Sequence, residues 1–211
     1  MELSVPSTLP AQSENPAIFT TEHISIQQQV TIAHQILKAT RDAEALVRGR
    51  DRSDLSVRLK PGSWCVAECL DHLTQTTMAF LPAISAAMAT ASRLTSNRRL
   101  RTGIIPSLFI WNLTPPYRIR FTVLPQLVPQ NQDAETVWTS FLDSQRQLLE
   151  TLRSAIGLAI DRVNIKSPVY ARISYNIYGA FRMLAAHQSR HIWQIEQILT
   201  ALDHPPASSV A

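Results

Sequence analysis

Apolar residues recur at intervals of three and four along four stretches of the chain, the spacing that places side chains on one face of a helix. In the first, Ile26, Val30, Ala33, Leu37 and Val47 form a stripe between about Ile24 and Val47, and Gly49 is placed to end it. The second begins near Trp64 and Cys65, after Pro61-Gly62, with Val66, Leu70, Leu73 and Phe80 on one face. Pro82 is expected to kink this helix, and an Ala-rich continuation carries it to about Ala91. Asp133 caps a third, in which Val137, Phe141, Leu148, Leu152 and Ile156 repeat before Gly157. Ser174 is the expected cap of a fourth, which runs to about Leu202 before Pro205-Pro206.

The interval from 93 to 130 reads differently. Pro106, Pro115, Pro116, Pro125 and Pro129 forbid one long helix there, and the apolar patches between them predict a long connection packed on the helices, with one short helix at 104–112. Four amphipathic helices with a long Pro-rich connection between the second and third predict an all-α fold, a four-helix bundle. Residues 1–20, with Pro6, Pro10 and Pro16 among polar residues, are expected to form a flexible arm. Residues 21–204 then make a single bundle domain and 205–211 a tail.

Composition removes several classes of function. The 211 residues contain five glycines, none in a phosphate-cradling loop, so no P-loop or dinucleotide fingerprint is present. The formal charge is +4, but basic residues cluster only at Arg98, Arg99 and Arg101, and nucleic acid is not an expected partner. No Lys or Arg precedes Lys38, which leaves no charged start to a secretory signal, and the weakly polar run from Met78 to Ala91 is too short to span a bilayer. A soluble cytoplasmic protein without a membrane partner is expected. Cys65 and Cys69, one turn apart, could close only a trivial loop and suit a reducing compartment.

Chemistry concentrates on three histidines. His187 and His191 lie four apart in a series, Ile177, Ala180, Leu184, His187, His191, Gln194 and Ile198, that forms the inward seam of the fourth helix. Burying two imidazoles beside Leu and Ile is unfavourable unless each finds a partner, and one shared cation serves both. His72, beside Cys69 and Leu73 on the second helix, should also face inward. Three neutral imidazoles would leave further coordination positions open, the catalytic rather than the closed structural pattern.

Two blocks of the chain, Trp64 through Glu68 to His72-Leu73 and Ala186-His187 through Arg190-His191 to Trp193-Gln194, resemble the DinB-like superfamily in content, order and separation. The resemblance covers about 24–202 and departs from the family pattern at Cys65, where Ser or Thr would normally cap the helix. It implies a four-helix bundle with His72, His187 and His191 on a divalent metal, often nickel or zinc. It also implies metal-dependent transferases or isomerases that use low-molecular-weight thiols, or hydrolases. On that reading the metal either lowers the pKa of a bound water to give a hydrolase or binds a thiol cosubstrate to give a transferase. The competing reading is a non-catalytic metal- or ligand-binding module. A homodimer is plausible for such bundles, though no residue specifies it.

Other residues carry weaker signals. Glu68 could act as a general base, but as the third residue of a helix capped by Cys65 it is better placed to reach back in a capping box, with Ser63 a substitute cap. Gln194 could orient a bound water or substrate, or equally bond a neighbouring helix. Cys69 has ligand-like spacing to His72 but reads as core. Trp64 and Trp193 read as core or pocket wall. His34 is expected on an exposed flank, and His23 and His204 at helix edges.

Overall fold

The helical periodicity resolves into six helices among the described residues of the computed structural model, which cover 23–115, 117, 123–130, 133–170 and 172–204. The expected arm at 1–20 and tail at 205–211 lie outside them. The helices are α1 (Ile24–Val47), α2 (Arg52–Leu55), α3 (Val66–Met88), α4 (Ile104–Leu113), α5 (Ala134–Ser154) and α6 (Ile177–Asp203). Helices α1, α3, α5 and α6 form the bundle, so the fold is all-α, as the periodicity indicates. No described helix is long and apolar enough to cross a membrane.

Several boundaries differ from those the sequence suggests. The buried face of α1 carries Ile26, Gln29, Ile32, Ile36, Ala39 and Ala43, which leaves Leu37 exposed. The buried face is therefore rotated about one position from the apolar stripe, because Gln29 sits in the seam, where its side-chain amide donates to the Ala155 carbonyl at 3.0 Å. Helix α3 continues through Pro82, which lies on its exposed side, and stops at Met88 rather than Ala91. Helix α5 stops at Ser154, and Gly157, with φ of +80°, turns the chain so that its carbonyl accepts from the Leu94 amide.

Ser174 is not the cap of α6. It belongs to β2 (Ser174–Asn176), which pairs antiparallel with β1 (Asn164–Lys166), and Asn176 caps the helix by accepting from the Gly179 amide at 2.7 Å. The three-residue strands are too short for alternation to be read from sequence. The long connection does contain the short helix expected at 104–112, seen as α4, which packs along α6.

The bundle interior is split. One apolar cluster gathers Ile36, Phe80, Ile84, Leu148, Phe181 and Leu184; the other gathers Ala43, Leu70, Leu73, Phe141, Ile192 and Ile195. Between them on three helices come buried polar residues: Thr76 and Thr77 on α3, Ser144 and Gln145 on α5, and Gln188 on α6. His187 occupies the same interval of α6, while His72 and His191 lie one turn away along their helices, beside Leu73 and Ile192 of the second cluster.

Candidate metal centre

Helix α3 positions His72 four residues after Glu68, and α6 presents His187 and His191 one turn apart. The packing of α3 on α6 brings all three rings together. Their Nε2 atoms meet at 3.2 Å between His72 and His187 and at 3.1 Å between His187 and His191. His72 and His191 are buried, at 4% and 8% exposure, and His187 is half-buried.

The protons on these rings are constrained from outside. His72 Nδ1 donates to the Leu127 carbonyl at 2.8 Å, and His191 Nδ1 donates to Gln194 Oε1 at 3.0 Å. Both acceptors lack a proton of their own, so a neutral His72 and a neutral His191 each turn a bare Nε2 lone pair toward His187. His187 Nε2 can bear one proton at most, which cannot lie along both N···N vectors. Its buried Nδ1 meanwhile has no hydrogen-bond partner.

Electrostatics keep the rings neutral. Burial pushes the His187 pKa down to about 3, with the neighbouring His72 and Arg190 adding to the effect. Burial also holds His191 well below the usual imidazole range, as do His187 and His72, against the Gln194 hydrogen bond. His72 is lowered by burial, against the pull of the Leu127 carbonyl. Three neutral nitrogens converging on one point are a donor set for a cation. Two nitrogens bound tetrahedrally at about 2.0–2.1 Å from one zinc lie roughly 3.3–3.4 Å apart, close to the 3.2 and 3.1 Å that separate His187 from His72 and His191.

The remaining candidates separate by geometry. Glu68 faces the start of its own helix, where its Oε2 accepts from the Cys65 amide at 2.9 Å and its Oε1 pairs with Arg58. Cys65 is the N-cap despite its weak acceptor, while Ser63 instead closes the preceding turn onto Lys60. Cys69 is fully buried in the second apolar cluster, and burial raises its thiol pKa far above the usual range. Trp64 forms a wall, its ring centroid 4.9 Å from His72 and 5.9 Å from His191. Trp193 is exposed and packs against Tyr117 in a tilted pair with ring centroids 4.5 Å apart. His34 is exposed, and His23 and His204 flank helix ends.

Two contributors to this region escape sequence reasoning. Leu127, in a short 3-10 turn at Pro125–Leu127, acts through its carbonyl, which no side-chain pattern reveals; the only hint is Pro125 at the first position of the turn. Arg190 sits over the Tyr117 ring at 5.3 Å and donates to the Asn112 carbonyl at 3.1 Å, tying α6 to the end of α4. Of the basic cluster, Arg98 is held by Asp161 through two bonds of 2.6 and 2.8 Å.

No curated protein and no solved structure shows a significant match to this chain. A family model described as the DinB superfamily matches residues 35–195, a span that includes all three histidines, and the chain therefore belongs to the DinB superfamily.

Proposed function

We propose that His72, His187 and His191 hold one divalent cation, nickel or zinc, and that the protein is a metal-dependent enzyme acting as a hydrolase or a thiol S-transferase. The observation that carries the metal is that His187 Nε2 lies 3.2 Å from that of His72 and 3.1 Å from that of His191, with the three ligand atoms within 4.8 Å of one another and no proton arrangement that satisfies them all. When bound, the cation supplies Lewis acidity, which lowers the pKa of water or of a thiol and so favours hydrolysis in one case and thiol transfer in the other. The chain's own residues do the positioning. Leu127 and Gln194 fix the tautomers of His72 and His191 and aim their Nε2 atoms, as partners of metal-bound imidazoles do. Trp64 excludes water from one side.

A second reading, a non-catalytic metal-binding module, draws support from Glu68. The carboxylate nearest His72 in sequence is committed to Cys65 and Arg58, which removes it as a general base. One experiment addresses metal and reaction in turn. Protein purified without chelator should carry close to one nickel or zinc per chain by mass spectrometry, His187→Ala should lose most of it, and His34→Ala should keep it. Negligible metal in the parent would overturn the site. Turnover of ester or amide substrates without thiol supports the hydrolase, turnover that requires a low-molecular-weight thiol supports the transferase, and a metal-loaded but inactive protein supports the module.

A further inference from the structure

Helix α4 is ten residues long, Ile-Ile-Pro-Ser-Leu-Phe-Ile-Trp-Asn-Leu, and carries no charge. Pro106, Asn112 and Leu113 are buried on the side that meets α6. The opposite face is solvent-exposed in part or in full: Ile104 is 89% exposed, Leu108 60%, Trp111 50% and Ile105 43%. Single exposed apolar residues are ordinary, but a contiguous stripe on an uncharged helix marks a surface that something covers.

Charge indicates what covers it. Between Asp71 and Asp133 the sequence contains no Asp or Glu, and of the arginines just before α4 only Arg98 is paired among the described residues, with Asp161, which leaves Arg99 and Arg101 as the basic side chains beside the helix. Arg99 and Arg101, just before α4, are exposed, and Arg190 lies at its other end against the Asn112 carbonyl. A second copy docking on this stripe through a two-fold axis would set the same arginines against one another, a like-charge juxtaposition that opposes association. An anionic bilayer matches both properties: apolar side chains enter the headgroup boundary, Trp111 sits at the interface, and arginines meet lipid phosphates.

We propose that α4 is a peripheral docking surface for anionic lipid, with Ile104, Ile105, Leu108 and Trp111 inserted and Arg99 and Arg101 on the headgroups. This departs from the expectation of no membrane partner, which rested on the lack of a spanning stretch; an interfacial helix needs only one apolar face. It is independent of the metal.

The full-length protein is sedimented with vesicles of phosphatidylcholine alone and of phosphatidylcholine with phosphatidylglycerol. Binding to the anionic vesicles is expected to be at least tenfold tighter, to weaken with added salt, and to fall at least tenfold in Ile104→Glu/Leu108→Glu. Trp111 emission should shift to the blue on binding, a change absent in Trp111→Phe. Because Ile104 and Leu108 are exposed, the double variant should keep the parent's melting temperature; should it fail to fold, Arg99→Glu/Arg101→Glu tests the same surface. No binding to anionic vesicles would overturn the proposal. So would a parent dimer that the double variant converts to monomer, which would assign the stripe to a second copy.

Discussion

A neutral imidazole has two nitrogens and one proton, so whatever fixes one nitrogen decides what the other can do. For His72 and His191 the fixing groups are the Leu127 carbonyl and Gln194 Oε1, and in each case Nε2 is left bare. Gln194 was open between orienting a ligand and bonding a neighbouring helix, and the structure gives it a third partner, a histidine on its own helix. The sequence places Glu68 both one turn before His72 and third in a helix, two roles that compete for one carboxylate. Its contacts with Cys65 and Arg58 decide for the cap. Glu68→Gln is therefore expected to destabilise the protein by about 1–2 kcal/mol, through a weakened cap and an Arg58 without its ion pair. Metal content per chain should stay at the parent value. Urea unfolding together with metal analysis checks both, and loss of metal at unchanged stability would return Glu68 to the site.

Helix positions were legible as elements, and their limits were not. All four long helices lie where apolar periodicity puts them, because each buries a face and the face repeats with the helical turn. The rotation of α1 is not legible in sequence because a buried Gln29 looks polar yet bonds the Ala155 carbonyl. The start of α6 is ambiguous in sequence because Ser174 and Asn176 are both competent caps, and only the β1–β2 pairing removes the first. Gly179 on α6 shows how closely the elements meet. A Cβ there would stand 2.8 Å from the Thr102 carbonyl oxygen and 2.6 Å from the Pro106 ring. Gly179→Ala gains about 1 kcal/mol of helix propensity. The backbone oxygen cannot swing aside as a flexible side chain would, so overpacking of about 1–3 kcal/mol is expected to match or exceed that gain. A melting temperature no higher than the parent's is the expected result, and a clear rise would show that α4 yields easily.

At the scale of the molecule, Arg98 and Asp161 join the long connection to the turn before the β-hairpin. Burial pushes the Asp161 carboxyl up, but hydrogen bonds from Arg98 and the Arg101 amide outweigh it and hold the group below its ordinary value. A carboxyl lowered in the folded state contributes stability in full above its unfolded pKa, about 3.9, and loses it as pH falls through the lower folded value. Urea midpoints followed from pH 7 down to pH 3 should fall on the acid side for the parent. Asp161→Asn should start lower by about 1.5–3 kcal/mol at pH 7 and decline less steeply in acid. Local periodicity in the sequence alone determined four amphipathic helices and a Pro-rich connection between the second and third, since helix faces and proline exclusions depend only on neighbours along the chain. The histidine spacing, read together with the family's two blocks, named the three residues. Tertiary structure alone decided that His72 meets His187 across 115 positions of sequence, that a backbone carbonyl from the connection orients it, and that Arg98 is paired. Those facts depend on how helices rotate and dock, and spacing along one chain carries no record of the distance between two faces.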